Sequence, residues 1–251
     1  MAKQNGIIKI KGTLGDMTFY KSRDGFIVKQ KSEVPKEKIL NDPSFKRTRE
    51  NMSEFGRAGK ASKTLRTAIR SLLQNAKDGR LVSRLTKEMM RVIKADAIST
   101  RGLRNVIDGE TELLKNFNFN INAVWSATMF ALYTTAINRV TGELSVSIPA
   151  FNPSAMIVAP AGSTHFKIVS AGTEVNFTDA VSGTVEFETG FLPLSDADTL
   201  PVNILHALPA NSTHPLFLLL GLQFFQEVNG IQYPLRNGAF NTLNIVSVLG
   251  V

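Results

Sequence analysis

A chain of 251 residues with a formal charge of +8 and 43 % apolar residues is long enough to bury a core unaided, and its lack of cysteine excludes disulfides, thiol catalysis, zinc–thiolate sites and iron–sulfur clusters. The charge is divided along the chain: residues 1–115 carry 26 Lys and Arg against 13 Asp and Glu, whereas residues 116–251 carry 3 against 8. Such a molecule can attract phosphate or an acidic surface at one end, or copies of itself through opposite ends.

The opening Met-Ala-Lys-Gln-Asn-Gly has none of the regions of a secretory signal, so cytoplasmic synthesis without Sec export is expected. From residue 6 to 31, short apolar–polar alternations (Ile7-Ile8-Lys9-Ile10-Lys11, Met17-Thr18-Phe19-Tyr20-Lys21, Phe26-Ile27-Val28-Lys29) are punctuated by glycines. They predict a small antiparallel β element with its tightest turn at Ser22-Arg23-Asp24-Gly25. Two or three strands alone are marginal, so this element needs the rest of the chain or another copy to pack on. Residues 32–40 read as a polar connector, after which Asp42 is placed to cap a helix and Pro43 to open it.

A basic helical hairpin is predicted over about 43–98. A short first helix should end near Phe55, and a bend is expected at Gly56-Arg57-Ala58-Gly59-Lys60-Ala61-Ser62. That run has the composition of a phosphate loop but not its spacing. Ala61, Leu65, Ala68, Ile69, Leu72, Leu73 and Ala76 then form one apolar stripe, with Asp78-Gly79 as a stop. Leu81, Val82, Leu85, Met89, Val92, Ile93 and Ala97 form the next stripe. The cations beside the stripes, Lys60, Lys63, Arg66, Arg70, Lys77, Arg84, Lys87 and Arg91, are the candidate phosphate contacts. No aromatic residue lies between Phe55 and Phe117, which limits such binding to sequence-nonspecific backbone contact.

Beyond residue 116 the period changes to two, and strands are predicted near 117–121, 131–137, 144–149, 165–170, 174–177, 184–188, 201–208, 216–228, 231–235 and 243–249. Asn229-Gly230 is the strongest hairpin signal. The run 216–225, interrupted by Gly221 and Gln223, is about half the roughly 20 residues of a spanning helix, so no membrane span is expected. Leu216-Phe217-Leu218-Leu219-Leu220 is apolar on both faces, as a central strand covered on both sides would be, with the helices the simpler cover for one of them.

Neither the histidines (His165, His206, His214) nor the acids Glu186, Glu188, Asp196 and Asp198 form a ligand or catalytic pattern, and no nucleophile elbow or HExxH is present. No cofactor is expected, and a small-molecule ligand is not favoured. Trp125 and Tyr133 offer only a thin platform for a glycan or protein ligand.

Gly12-Thr13-Leu14-Gly15-Asp16-Met17-Thr18-Phe19-Tyr20-Lys21, Asn41-Asp42-Pro43-Ser44-Phe45-Lys46-Arg47-Thr48-Arg49 and Phe224-Phe225-Gln226-Glu227-Val228-Asn229-Gly230 resemble a group of proteins of Bacteroidetes bacteria and their phages that has no assigned chemistry. The resemblance therefore implies no site residue; it favours a bacterial or phage-related structural protein. The expected fold is α+β: a basic N-terminal region over 1–115, with β hairpins at 6–31 and the helical hairpin, then an antiparallel β-sandwich, Ig-like or jelly-roll-like, over 116–251. The expected function is that of a non-enzymatic subunit which self-assembles into a filament, tube, shell or virion-like particle, including one released from the cell. Ile7, Ile8, Ile10, Phe19, Tyr20, Phe26 and Val28 are its candidate assembly residues. The alternative is a sequence-nonspecific nucleic-acid-binding protein.

Overall fold

A computed structural model describes all residues except Arg23, Ser32 and Glu33, together with the side chains of Arg236 and Asn237. The turn predicted at 22–25 and the connector predicted at 32–40 fall partly outside the described residues. The protein is α+β, and its antiparallel sheets include a curled half-barrel. Two compact units divide it, Met1–Glu50 and Asn51–Val251.

In the first unit, β1 (Ala2–Lys3), β2 (Gly12–Leu14), β3 (Met17–Ser22) and β4 (Gly25–Gln30) form one antiparallel sheet in the order β1-β4-β3-β2. The pairings Phe19 with Val28 and Lys21 with Phe26 put Phe19, Phe26 and Val28 on one face, and Tyr20 and Ile27 on the other. The expected connector contains a short helix, α1 (Lys36–Asn41). Asp42 then accepts the Ser44 N–H at 2.9 Å and caps a 3₁₀ turn at Pro43–Phe45, as its position predicts. Arg49 fixes this corner by donating to the Ile39 and Asp42 carbonyls, both at 2.9 Å.

Helix α2 (Lys46–Ala68) corrects the expected bend: Gly56 and Gly59 lie inside one continuous helix. A buried face of Glu54, Ala58, Ala61 and Leu65 outweighs the poor helix propensity of two glycines. The break comes instead at Ile69, ahead of α3 (Arg70–Asn75); α4 (Leu81–Ala95) follows, and a 3₁₀ turn spans Thr111–Leu114. Residues 117–121 are not a regular strand. Phe119 N–H donates to Leu243 O at 2.9 Å and Ile245 N–H to Phe117 O at 3.1 Å, so this segment lies beside the last strand through isolated bonds.

The remaining elements are α5 (Trp125–Thr128), β5 (Thr134–Asn138), β6 (Glu143–Ile148), α6 (Pro153–Met156), β7 (His165–Asn176), β8 (Val181–Glu188), β9 (Leu192–Pro193), β10 (Val202–Ala207), β11 (Leu216–Val228), β12 (Ile231–Pro234) and β13 (Thr242–Leu249). The two strands expected at 165–170 and 174–177 are one strand, β7. The sheet order is β12-β11-β7-β8, with β13 also paired to β11 and β9 to β7; a second sheet runs β10-β6-β5. Asn229 and Gly230 take φ of 52° and 79°, the positive values that a type I′ turn between β11 and β12 requires.

Strand β11 organises both cores of the second unit. Phe217 and Leu219 join Val169, Ala171, Leu243 and Ile245 on the face that meets Leu65, Ile69, Leu85, Met89 and Ile93 of the helices. Leu216, Leu218, Leu220 and Leu222 point the other way, into a cluster with Leu144, Val146, Ile148 and Ile204 of the three-stranded sheet. The doubly apolar run is therefore covered on both sides, by helices on one and strands on the other.

Candidate assembly and nucleic-acid surfaces

The candidate cations separate into two groups. Lys60, Lys63, Arg70, Lys77, Lys87 and Arg91 are exposed, whereas Arg66 and Arg84 are half-buried and committed to the fold. Arg66 Nε donates to Ser62 O at 3.1 Å. Arg84 forms an ion pair with Asp78, donates to Asn118 O at 2.8 Å and Phe119 O at 3.1 Å, and lies 5.1 Å from the centroid of the Phe117 ring. Arg91 is held by Glu88 at 2.6 Å. Arg84, Lys87 and Arg91 line a cleft of about 420 Å³ together with Lys115, Phe117 and Asn118. Lys60, Lys63, Arg70 and Lys77 belong to α2, α3 and the residues just after them, where the sequence has no acidic residue from Phe55 to Lys77.

Two carboxylates, Asp78, read from the sequence as part of a helix stop, and Asp96, are loop anchors. Asp78 accepts the Arg80 N–H at 2.5 Å and the Ile121 N–H at 3.0 Å as well as Arg84. Desolvation works to raise its pKa, but these hydrogen bonds outweigh it and the carboxyl titrates below its usual range. Asp96 likewise is desolvated yet held low by N–H donors from Ser99, Asn105 and Ile98 at 2.8, 3.0 and 2.9 Å. Glu54, buried in α2, accepts the Gly102 N–H at 2.8 Å, and Arg57 donates to Gly102 O and Arg104 O at 2.8 and 2.9 Å, so the loop after α4 is clamped to α2. Asp78 two residues before Arg80 and Asp96 two residues before Ile98 are both Asx-type turn signals that the sequence carried.

Ser170 and His206 sit at the distance of a nucleophile–base pair, 2.9 Å, yet both are fully buried between the sheets. Ser170 Oγ donates to Leu219 O at 2.7 Å, which makes His206 Nε2 the donor to Ser170 and leaves Nδ1 an acceptor with no partner among the described residues. Burial pushes the imidazole pKa down to about 4, so it is neutral and structural. The His214 carbonyl accepts from Arg139 at 2.9 Å. Among the described residues no group of three His, Asp or Glu could hold a metal ion. The acids Glu188 and Asp196 are engaged with Lys167 (2.9 Å) and Ser154, and Glu186 with Ser71. Trp125 and Tyr133 pack edge to face at 5.7 Å, with Trp125 buried, so they form no open platform.

Every candidate assembly residue remains uncovered to some degree. Ile7 is fully exposed, Ile8 is 81 % exposed and Ile10 44 %; Phe19, Tyr20, Phe26 and Val28 are half-buried on the sheet. Indeed no described residue of Met1–Glu50 is buried, although this unit includes a four-stranded sheet. Among the described residues no helix is long and apolar enough to cross a membrane.

No family model, curated protein or solved structure matches the chain.

Proposed function

We propose that this chain is a non-enzymatic structural subunit that assembles with copies of itself, through its N-terminal strands and its oppositely charged ends, into a filament, tube, shell or virion-like particle. The observation that carries the reading is the sheet of Met1–Glu50 without a single buried residue among those described. A sheet needs an apolar face covered to be stable, and Phe19, Phe26 and Val28 on one face offer an incomplete half of such a contact. This unit holds 12 Lys and Arg against 6 Asp and Glu, while the chain from Ile168 to Leu235 holds no Lys or Arg at all, so opposite charges are available to bring copies together. The resemblance to bacterial and phage-related proteins suits a structural subunit, and the two facing sheets of the second unit suit a sandwich of Ig-like or jelly-roll-like kind.

Light scattering and negative-stain microscopy of the purified full chain at low and high salt test it. Oligomers that grow with concentration and shrink as salt rises are the expected result. A monomer under every condition would overturn the proposal.

A second reading, sequence-nonspecific nucleic-acid binding, is favoured by the acid-free run that presents Lys60, Lys63, Arg70 and Lys77. It requires that binding fall steeply with salt, and that Lys60→Glu, Lys63→Glu and Arg70→Glu together weaken it for every sequence. Affinity unchanged by this triple variant would remove that reading.

A further inference from the structure

Strand β8 pairs with β7 along its whole length from Val181 to Glu188, and among the described residues no strand is bonded to its outer edge. None of its residues is buried. By register, Val181, Val185 and Phe187 stand on the face shared with Ser170 and Gly172, while Glu186 and Glu188 stand on the opposite one. The three apolar side chains are 62 %, 38 % and 36 % exposed. An edge this long, unbroken by a bulge, a proline or a lysine, is a template for one more strand. It is also acidic: Glu174, Asp179, Glu186 and Glu188 lie on β8, its partner strand and the turn between them; Glu188 pairs with Lys167 and Glu186 with the neutral Ser71.

Residues 7–11 have the complementary pattern. Ile7-Ile8-Lys9-Ile10-Lys11 belongs to no strand, and its isoleucines are exposed. The Gln4 side chain bonds both the N–H and the C=O of Ile10, at 3.0 and 3.3 Å, standing where a neighbouring strand would. Laid out as a strand, the segment puts Ile8 and Ile10 on one face and Lys9 and Lys11 on the other. That alternation matches Val185 and Phe187 on one face of the β8 edge and Glu186 and Glu188 on the other. Of the other terminal strands of the second unit, β5 (Thr-Thr-Ala-Ile-Asn), β10 (Val-Asn-Ile-Leu-His-Ala) and β12 (Ile-Gln-Tyr-Pro) carry no carboxylate to offer the lysines.

We propose that residues 7–11 of one copy add as a strand to the outer edge of β8 in another copy. The proposal rests on the assembly reading and names the surface that assembly uses. Because the two patches differ, the contact is head-to-tail, and repetition gives a ring or an open chain of subunits.

The absence of native cysteine makes cross-linking a direct test. An Ile10→Cys chain is mixed with a Val185→Cys chain carrying a size tag, under mild oxidation, with Val82→Cys on the exposed side of α4 as the control partner. A disulfide-linked heterodimer with Val185→Cys, absent with Val82→Cys, is expected. Adding Glu186→Lys and Glu188→Lys should lower its yield roughly tenfold as attractive pairs become repulsive, and Lys9→Glu with Lys11→Glu should restore it. No heterodimer, while light scattering still shows oligomers, would overturn this docking surface and leave the assembly reading standing. A strict monomer would overturn both. A chain carrying both cysteines that cross-links only within itself would overturn contact between copies.

Discussion

Both compact units are built on antiparallel strands, but they bury them very differently. In Asn51–Val251, β11 is sandwiched between helices and a second sheet, and its residues from Leu216 to Phe225 are all buried. In Met1–Glu50, the strands pair just as regularly, yet no described residue is more than half-buried. Pairing satisfies the backbone, whereas stability comes from the area removed from water, so a paired sheet with open faces is a structure awaiting cover.

The largest effect that could break this contrast is a truncation in each unit. Leu219→Ala should cost about 2–5 kcal/mol, because it opens a cavity between β11 and the helices. Phe26→Ala, measured in dilute monomer, should change stability by about 0.5 kcal/mol or less. Urea denaturation of the two variants decides the matter: comparable losses would mean that the first unit has a cover of its own.

What the sequence allowed one to read follows the same division. Strand β11 has the expected limits, 216–228, because a continuous apolar run bounded by Pro215 and by Asn229-Gly230 leaves few alternatives. The α4 stripe was legible in the main: Leu81, Leu85, Met89, Val92 and Ile93 turn to one core, whereas Val82 and Ala97, expected beside them, are exposed, because local spacing does not fix how wide a face the neighbouring elements cover. Arg84 was not legible as a fold-committed residue. Its partners Asn118 and Phe119 depend on where separate segments meet, and a cation next to an apolar stripe looks the same whether it faces solvent or a carbonyl. Nor did any local pattern show that residues 117–121 run beside β13.

The second test uses pH against the buried centre. His206 titrates near 4 in the folded protein against about 6.5 unfolded, so protons favour the unfolded chain between those values. Its neutral form costs nothing above pH 6.5; as pH falls from there towards 4, stability should drop by about 3 kcal/mol and then level off. Asp78 and Asp96 work in a lower window: their carboxyls are depressed below 3.8, so the stability they add is present above that value and lost as pH falls beneath it. His206→Gln should remove the upper step and spare the lower one, as read from urea midpoints across the range. An upper step that survives would place its origin elsewhere, outside this pair of sheets.

A smaller cost is expected from Gly172→Ala. A Cβ there would lie 2.7 Å from the His206 Cβ, between two strands whose backbones are fixed by pairing, and about 1–3 kcal/mol of overpacking follows. Combining it with His206→Gly should recover part of that loss, since the clashing Cβ is then gone.

The smallest effect has the opposite sign. Gly56 and Gly59 sit inside α2, where a Cβ would meet nothing within 4 Å, and neither takes a positive φ. Their local composition argues for a bend and their surroundings for a helix. The two alternatives predict opposite outcomes for alanine. In a continuous helix, each Gly→Ala exchange removes freedom from the unfolded chain and should add about 0.5–1 kcal/mol of stability. At a bend that used a left-handed conformation, the same exchange would cost at least that much. Thermal and urea denaturation of Gly56→Ala and Gly59→Ala, singly and together, therefore asks whether the buried stripe of Glu54, Ala58, Ala61 and Leu65 governs this stretch. Additive gains would show that the stripe holds one continuous helix through both glycines; a loss at either position would restore the bend that the glycines suggest.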